Sequence, residues 1–377
     1  MAMKKYPPRN SRATGVTLVE LLVAITLGAI ILAGAVTLFV NNRDTYKTTN
    51  ELSRLQETAR YALDMMVKDI RMAGYFGCAD RGDTVRNNVV VATAGQLWDI
   101  NLDPAAGAVI PAIEGFEAAF PANEFMPSGF DVTVGANGPG GDILASTDAI
   151  TLRYLAGSMN DVAGTAGTLD YLVTADAING PNSVITADST GGFALNQVAA
   201  IADCGGSDIF QIAAAPTATT VQASALSRGY NAVASPMIAP YVGVRYYIGN
   251  NGRGPDAVTP SLYRTIITTP GGALTETRQE LFEGVEAMHI LYGVDTSGNG
   301  VPDSYVRSGD APLSTGDPAA NWSNIVSVRI AILVRTVDQH GRDVDTNTYP
   351  VNNLVVGPFN DNRRRRVFTT TATVRNL

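Results

Sequence analysis

From Leu21 to Val40 the chain reads "LLVAITLGAIILAGAVTLFV", without one charged residue. A helix of about 20 apolar residues is what a bilayer's hydrocarbon core requires. The flanks fit poorly with a cleaved secretory signal, which has a basic start, a shorter apolar stretch and a small-residue cleavage site after it. Here Lys4, Lys5, Arg9 and Arg12 precede the run, and the small residue at its edge, Gly15, lies before the run. A plain membrane anchor, basic end in the cytoplasm and body outside, explains most of this pattern. It does not explain Glu20 at the start of the run. A carboxylate in a membrane helix costs about 2.5–3.5 kcal/mol at the helix centre and less near the interface, so it usually has a partner. Cleavage after Gly15 would supply one. Val16 would then carry a free amine, cationic at neutral pH because its reference pKa is about 8. Glu20, four residues on, could meet that amine or the amine of a neighbouring chain staggered along the same axis.

These residues carry a resemblance. "GVTLVELLVAITLGAIILA" resembles the class III signal of type IV pilins and pseudopilins: Gly15, Val16, Thr17, Leu18, Val19 and Glu20 match it in order, with Val16 where phenylalanine is usual. The resemblance implies cleavage between Gly15 and Val16 by a membrane prepilin peptidase, and N-methylation of Val16. Methylation keeps the charge of the amine and changes its size.

Beyond Val40 a helix continues. Leu52, Leu55, Ala59, Ala62, Leu63, Met66, Val67 and Ile70 recur at steps of three and four, an amphipathic stripe suited to packing on a sheet. Glu51 with Arg54, Glu57 with Arg60, and Asp64 with Lys68 are spaced for pairs on the helix surface. Gly74 and Gly77 end the run.

Net charge is -8, and the four basic side chains of the first 15 residues leave -12 for the rest. A polyphosphate partner is disfavoured for such a body, so no nucleic acid is expected. With 16% charged residues and 37 glycines, the body reads as β-rich and loop-rich. Residues 81–240 have weak periodicity. "GANGPGGD", starting at Gly135, is a loop by composition, with no lysine in Walker spacing. "DAITLRYLAG" and "GSDIFQIAA" read as strands. "VGVRYYIG" and "SLYRTIIT" read as a strand pair around a Gly/Asn-rich turn. "LFEGVEAMHILYGVD" reads as one long element, helical or extended at its start and strand at its end. "SNIVSVRIAILVRT" and "RRVFTTTATVRNL" alternate as the last strands of an antiparallel sheet. The expected class is α+β: a long N-terminal helix, its first half membrane-spanning, packed on an antiparallel sheet with a large loop-rich insertion. The expected divisions are a leader, 1–15, a transmembrane or filament-core helix, 16–40, an amphipathic helix, 41–77, a loop-rich variable region, 78–240, and a C-terminal sheet region, 241–377.

Several of these stretches are similar to the PilW family of minor type IV pilins: "ETARYALDMMVKDIRMAGYFGC", "LYGVDTSGNGVPDSY", "VRIAILVRT" and "RRRRVFTTTATVRNL". The similarity covers both ends of the chain and hardly touches the middle. It implies a low-abundance pilus subunit that primes assembly and lies near the tip. Its partners would be other minor pilins, the major pilin, the prepilin peptidase, the inner-membrane assembly machinery and, before assembly, membrane lipid. The body would lie in the periplasm first and at the cell surface afterwards. Many major pilins carry a proline within the apolar helix; this run has only Gly28 and Gly34. The presence of Glu20 argues against the outermost cap subunit, whose family counterpart lacks the acid. A minor pseudopilin of type II secretion and a membrane-anchored adhesin are the alternatives.

Chemistry-bearing motifs are few. Cys78 and Cys204 have no metal-ligand spacing, and in an exported body they read as a disulfide; two separate buried thiols are the alternative. "DTSGNGVPD" puts Asp295, Ser297, Asn299 and Asp303 at alternate positions of a calcium-loop pattern, with Gly300 at the sharp turn. Val306 stands where that pattern has a glutamate, and a hydrogen-bonded turn explains the same residues. No other cofactor is implied. "RRRR", Arg363 to Arg366, reads as the solvated start of a strand or a contact with an acidic neighbour. His289 and His340 read as ordinary surface or sheet histidines. No GxSxG, HExxH or glycine-rich dinucleotide signature occurs, so no enzyme is expected.

Overall fold

The computed structural model describes residues 16–78, 85–89, 111–117, 142–144, 147–156, 171–253, 258–269, 274–313, 322–339 and 343–375. Gly15, most of the "GANGPGGD" loop and His340 lie outside them. The chain divides into two units, 1–53 and 54–377.

One helix, α1 (Leu18–Met72), contributes to both units. In the first unit its side chains are exposed from Leu18 to Tyr46, and the stretch is apolar and long enough to cross a membrane. Threonines interrupt that surface without presenting free hydroxyls, because Thr26 and Thr37 donate back to the carbonyls of Leu22 and Ala33.

The second unit is built of short and long strands. Its large sheet contains β1 (Val85–Asn87), β2 (Ile113–Phe116), β3 (Asp142–Ile143), β4 (Ala149–Leu155) and β5 (Tyr171–Leu172). After β6 (Gly180–Pro181) and β7 (Val184–Thr186), β8 (Val198–Asp203) and β9 (Gly206–Gln211) join the same sheet. Two short strands, β10 (Thr220–Gln222) and β11 (Ala225–Leu226), pair with β7 and β6. The sheet is completed by β12 (Met237–Asn250), β13 (Pro260–Thr268) and β14 (Thr275–Glu283), in the order β1-β9-β8-β12-β13-β14, with β2 to β5 beside this path. A second sheet, in the order β16-β15-β17-β20, holds β15 (Val285–Val294), β16 (Ser304–Val306), β17 (Ile325–Arg335) and β20 (Arg365–Thr373). A hairpin of β18 (Tyr349–Val351) and β19 (Leu354–Val356) separates β17 from β20 in sequence. The class is α+β, with the body segment of α1 packed on sheets. All long pairings are antiparallel; the short β1–β9 pair is parallel.

The expected strand pair around the Gly/Asn turn is β12 with β13, in a register that sets Tyr247 opposite Tyr263. The long element around "LFEGVEAMHILYGVD" is two strands, not one. Gly284 is where the chain leaves one sheet for the other. Its N–H bonds the carbonyl of Pro260 in β13, and its carbonyl accepts from Arg335 of β17. It sits at φ +89°, and a Cβ there would lie 2.7 Å from the Arg335 carbonyl oxygen, so only glycine fits.

The core forms between α1 and both sheets. Leu55, Ala59, Ala62, Leu63, Met66 and Ile70 of the helix meet Leu152, Tyr154, Val244 and Tyr246 of the large sheet and Met288, Ile290, Val328 and Ile330 of the small one. Much of the helical stripe therefore lies in the core. Leu52, also expected there, is 37% exposed. Among the helix-face charges, Arg60 pairs with Asp64 at 3.7 Å.

Residues 171–238 form a lobe of short strands with its own small core, including Val173, Ile185, Phe193, Phe210, Ile212 and Tyr230. The region read from composition as loop-rich thus contains a packed core. Its strands are too short, and its alanines and glycines too many, to give a periodic signal.

Candidate functional site

At the N-terminal end of α1, Thr17 and Glu20 cap the helix reciprocally. The Thr17 hydroxyl accepts from the Glu20 amide at 3.2 Å, and a Glu20 carboxylate oxygen accepts from the Thr17 amide at 3.2 Å and from its hydroxyl at 3.1 Å. This is a capping box, which satisfies two amides that a helix start leaves unbonded. The T-x-x-E spacing was visible in the sequence, where Glu20 was read only through its charge. Glu20 therefore has a partner within its own chain. Val16, just before the cap, is 71% exposed.

The other end of α1 is fixed by covalent and hydrogen bonds. After Met72 the chain runs against β4: Gly74 donates to the Arg153 carbonyl at 3.0 Å, and Leu155 donates to Tyr75 at 2.8 Å. Gly77, at φ +86°, passes so close that a Cβ would lie 2.7 Å from Cβ of Ala202. That approach brings Cys78 to Cys204, and the two form a disulfide with Cα atoms 4.6 Å apart. Cys204 sits in the turn between β8 and β9. Arg228 grips the same turn, pairing with Asp203 and donating to the Gly206 carbonyl at 2.9 Å.

Asp69 lies on the packed face of α1, 7% exposed. Tyr246 donates to it at 2.6 Å and Tyr154 at 2.9 Å. Burial raises its pKa, and the two hydroxyls counter part of that rise. Asp69 was not among the residues of the stripe; its three-residue step from Met66 was the available signal for a buried acid.

The "RRRR" run alternates. Arg364 and Arg366 face out, while Arg363 and Arg365 are buried. The reading of a solvated strand start holds for Arg364 and Arg366 and is corrected for Arg363 and Arg365. The cause is a cluster of acids: Arg365 bonds Asp361 at 2.6 and 2.7 Å and Asp345 at 3.0 Å, contacts Glu286, and stacks on Phe359 with 3.9 Å to the ring centroid. Arg335 reaches the same Glu286 at 3.2 Å. Hydrogen bonds from Arg365 hold the Asp361 carboxyl below its usual range. His289 is a sheet histidine, buried within β15 and 3.4 Å from Asp148.

In the Asp295 loop the two acids are engaged by the loop itself. Asp295 accepts from the amides of Gly298, Asn299 and Gly300 and from the Ser297 hydroxyl. Asp303 accepts from the amides of Thr296 and Ser297 and from both their hydroxyls. Burial alone would raise the pKa of Asp295, but the Gly300, Gly298 and Asn299 amides outweigh it and leave it lowered. These donors compete with a cation for the carboxylate oxygens, and the Asn299 side-chain oxygen accepts from the Val301 amide. Among the described residues no group of three or more His, Cys, Asp or Glu is placed to hold a metal.

Residues 245–376 match the family model for the type IV pilus-assembly protein W, PilW. Residues 10–36 match the prokaryotic N-terminal methylation motif. Over these two stretches the chain matches a PilW-family type IV pilin. No curated protein and no solved structure matches the chain. The PilW match begins within β12 and takes in the Gly284 crossing, the Asp295 loop, the Arg365 cluster and β20. The methylation motif takes in the Thr17–Glu20 cap and much of the apolar run. These matches support a type IV pilus-related, pilin-like protein whose family implies contact with other pilus components, and among the described residues α1 is the one helix long and apolar enough to cross a membrane.

Proposed function

We propose that this chain is a minor, non-enzymatic subunit of a type IV pilus that helps prime assembly and is incorporated near the filament tip. The observation that carries this reading is the join of a prepilin-type N-terminus to a PilW region in one chain. Residues 1–15 are the leader, removed between Gly15 and Val16, and the amine of Val16 is then methylated. Residues 16–40 hold the subunit in the inner membrane with its body in the periplasm, and later in the filament core. Residues 78–240 are the part in which this subunit differs most from its relatives.

Glu20 is the assembly contact. In the single chain the Thr17 cap holds its carboxylate at the helix start, at a contribution of about 1 kcal/mol. A neighbour's methylated amine competes for the same carboxylate, with the stronger pull of a full charge in a low-dielectric setting. Prepilin peptidase acts before this step, and other minor pilins, the major pilin and the inner-membrane machinery act during it.

Deletion of the gene tests the reading. Loss of surface pili is the expected result. Loss of protein secretion with pili intact would place the chain among type II pseudopilins, and normal pili with lost attachment would make it an adhesin.

A further inference from the structure

Two long strands end their sheets. β14 closes one side of the large sheet and β20 one side of the small one. An edge strand presents backbone N–H and C=O groups without a ladder partner, and proteins commonly guard such edges with charge. β14 is guarded, with Glu276, Arg278, Glu280 and Glu283 along its nine residues. β20 is not. From Val367 to Val374 it reads "VFTTTATV", with no charge, proline or glycine, and mostly with the β-branched residues that favour strands.

The register decides which groups face outward. Val374 donates to the Val326 carbonyl at 3.0 Å, and at the other end Thr336 donates to Arg364 at 2.9 Å. Between them β17 and β20 pair without a bulge, from Ser327 opposite Thr373 to Arg335 opposite Arg365. Bonded and non-bonded pairs alternate along an antiparallel ladder. The even-numbered residues therefore bond β17, and Val367, Thr369, Thr371 and Thr373 turn their backbone groups to the open side. Among the described residues nothing bonds those groups, and Thr369, Thr371 and Thr373 are exposed. Phe368 and Ala372 pack into the core with α1, so the strand is held firmly from one face and from one edge.

We propose that the free edge of β20 receives an extended strand from the body of a different pilin, by β-strand addition. This rests on the reading of the chain as a minor pilus subunit, and a minor subunit would meet a different pilin, not a second copy, as its neighbour. Each outward residue can exchange two backbone bonds with a facing residue. Such bonds are weak between free proteins, but helices bundled in a filament raise the effective concentration of the neighbouring body. The incoming strand should itself be uncharged where it faces Thr369–Thr373.

The test uses the full chain in cells that make pili. Thr371→Pro removes one outward N–H and no bond to β17, and an edge position tolerates proline. It should lower the amount of this protein in sheared pili up to about tenfold, as expected for the loss of one backbone bond. The Cys78–Cys204 disulfide and the protease resistance of the body should not change, and Thr371→Val should behave as wild type. A photo-crosslinking residue at position 371, in an otherwise unchanged chain, should link to another protein whose peptides include a prepilin-type N-terminus. Wild-type recovery of Thr371→Pro in pili would overturn the proposal. So would crosslinks only to a second copy, only to a protein without that N-terminus, or to nothing; the crosslink decides the matter if Thr371→Pro loses protease resistance. Absence of the wild-type chain itself from pili would instead overturn the pilus reading beneath it.

Discussion

Tyr246→Phe removes the shorter of the two hydroxyl bonds to Asp69, 2.6 Å against 2.9 Å for Tyr154, and leaves a buried carboxyl with one donor. The ring packing stays, so cavity terms stay small. A hydrogen bond to a charged group is worth about 1.5–3 kcal/mol and one to a neutral group about 0.5–1.5. The sign with pH follows from the raised pKa. The folded state binds the Asp69 proton more tightly than the unfolded chain, whose carboxyl titrates near 3.8, so this group's contribution to stability falls as pH rises from there through the folded pKa. The substitution removes one of the influences that lower that pKa and so raises it further. The loss relative to wild type should therefore grow with pH, to about 2 kcal/mol once the carboxylate is charged. At pH 4 it should be smaller, because a larger share of both folded proteins then holds a neutral carboxyl. Urea unfolding of the full chain in detergent at pH 4 and pH 8 measures the difference. Equal losses at the two pH values, or no loss at either, would refute the assignment of Asp69 as a buried titrating group held by its tyrosines.

Three further outcomes are expected. The disulfide spans 126 positions, and chain entropy assigns a loop of that size about 5 kcal/mol, less any native strain; Cys204→Ser should lower the urea midpoint, and reductant should lower the wild type to match. Arg365→Met strands Glu286, Asp345 and Asp361 without their shared cation and should cost about 3–5 kcal/mol at pH 7; because Arg365 holds Asp361 below its ordinary pKa, that stability is present above about 3.8 and lost as pH falls through the folded value, so the gap between variant and wild type should close in acid. Calorimetric titration of the full chain with millimolar calcium should give no saturable heat, because amide and hydroxyl donors already surround Asp295 and Asp303; a saturable heat abolished by Asp295→Asn would instead establish a cation site.

The sequence exposed those elements whose physics is local and periodic. The apolar run, the helical stripe, β12, β13, β17 and β20 all announce themselves by spacing, and each is a long element with one buried face. The class III motif was legible because it is contiguous. Interactions between distant segments left a weaker trace. Arg153 sits within a strand that reads as apolar, yet it is fully buried and pairs with Glu114 at 3.1 Å, a partner that only the β2–β4 pairing supplies. Arg365 looked solvated until Glu286, Asp345 and Asp361 converged on it from three separate stretches. The break at Gly284 was hidden because both strands beside it are equally extended, and what stops the element is a sheet-to-sheet crossing. Glu20 was read as a charge for an amine, at Val16 of its own chain or of a neighbour, although Thr17 stood three residues before it.

The intact mass of the chain recovered from sheared pili tests the central claim most directly. The account predicts a polypeptide beginning at Val16, with one methyl group on its amine and the Cys78–Cys204 disulfide closed. Glu20→Gln should yield the same processed species in the membrane fraction and little of it in pili. A chain that still begins at Met1, one cut beyond the apolar run, or no chain in the pilus fraction at all would contradict the account.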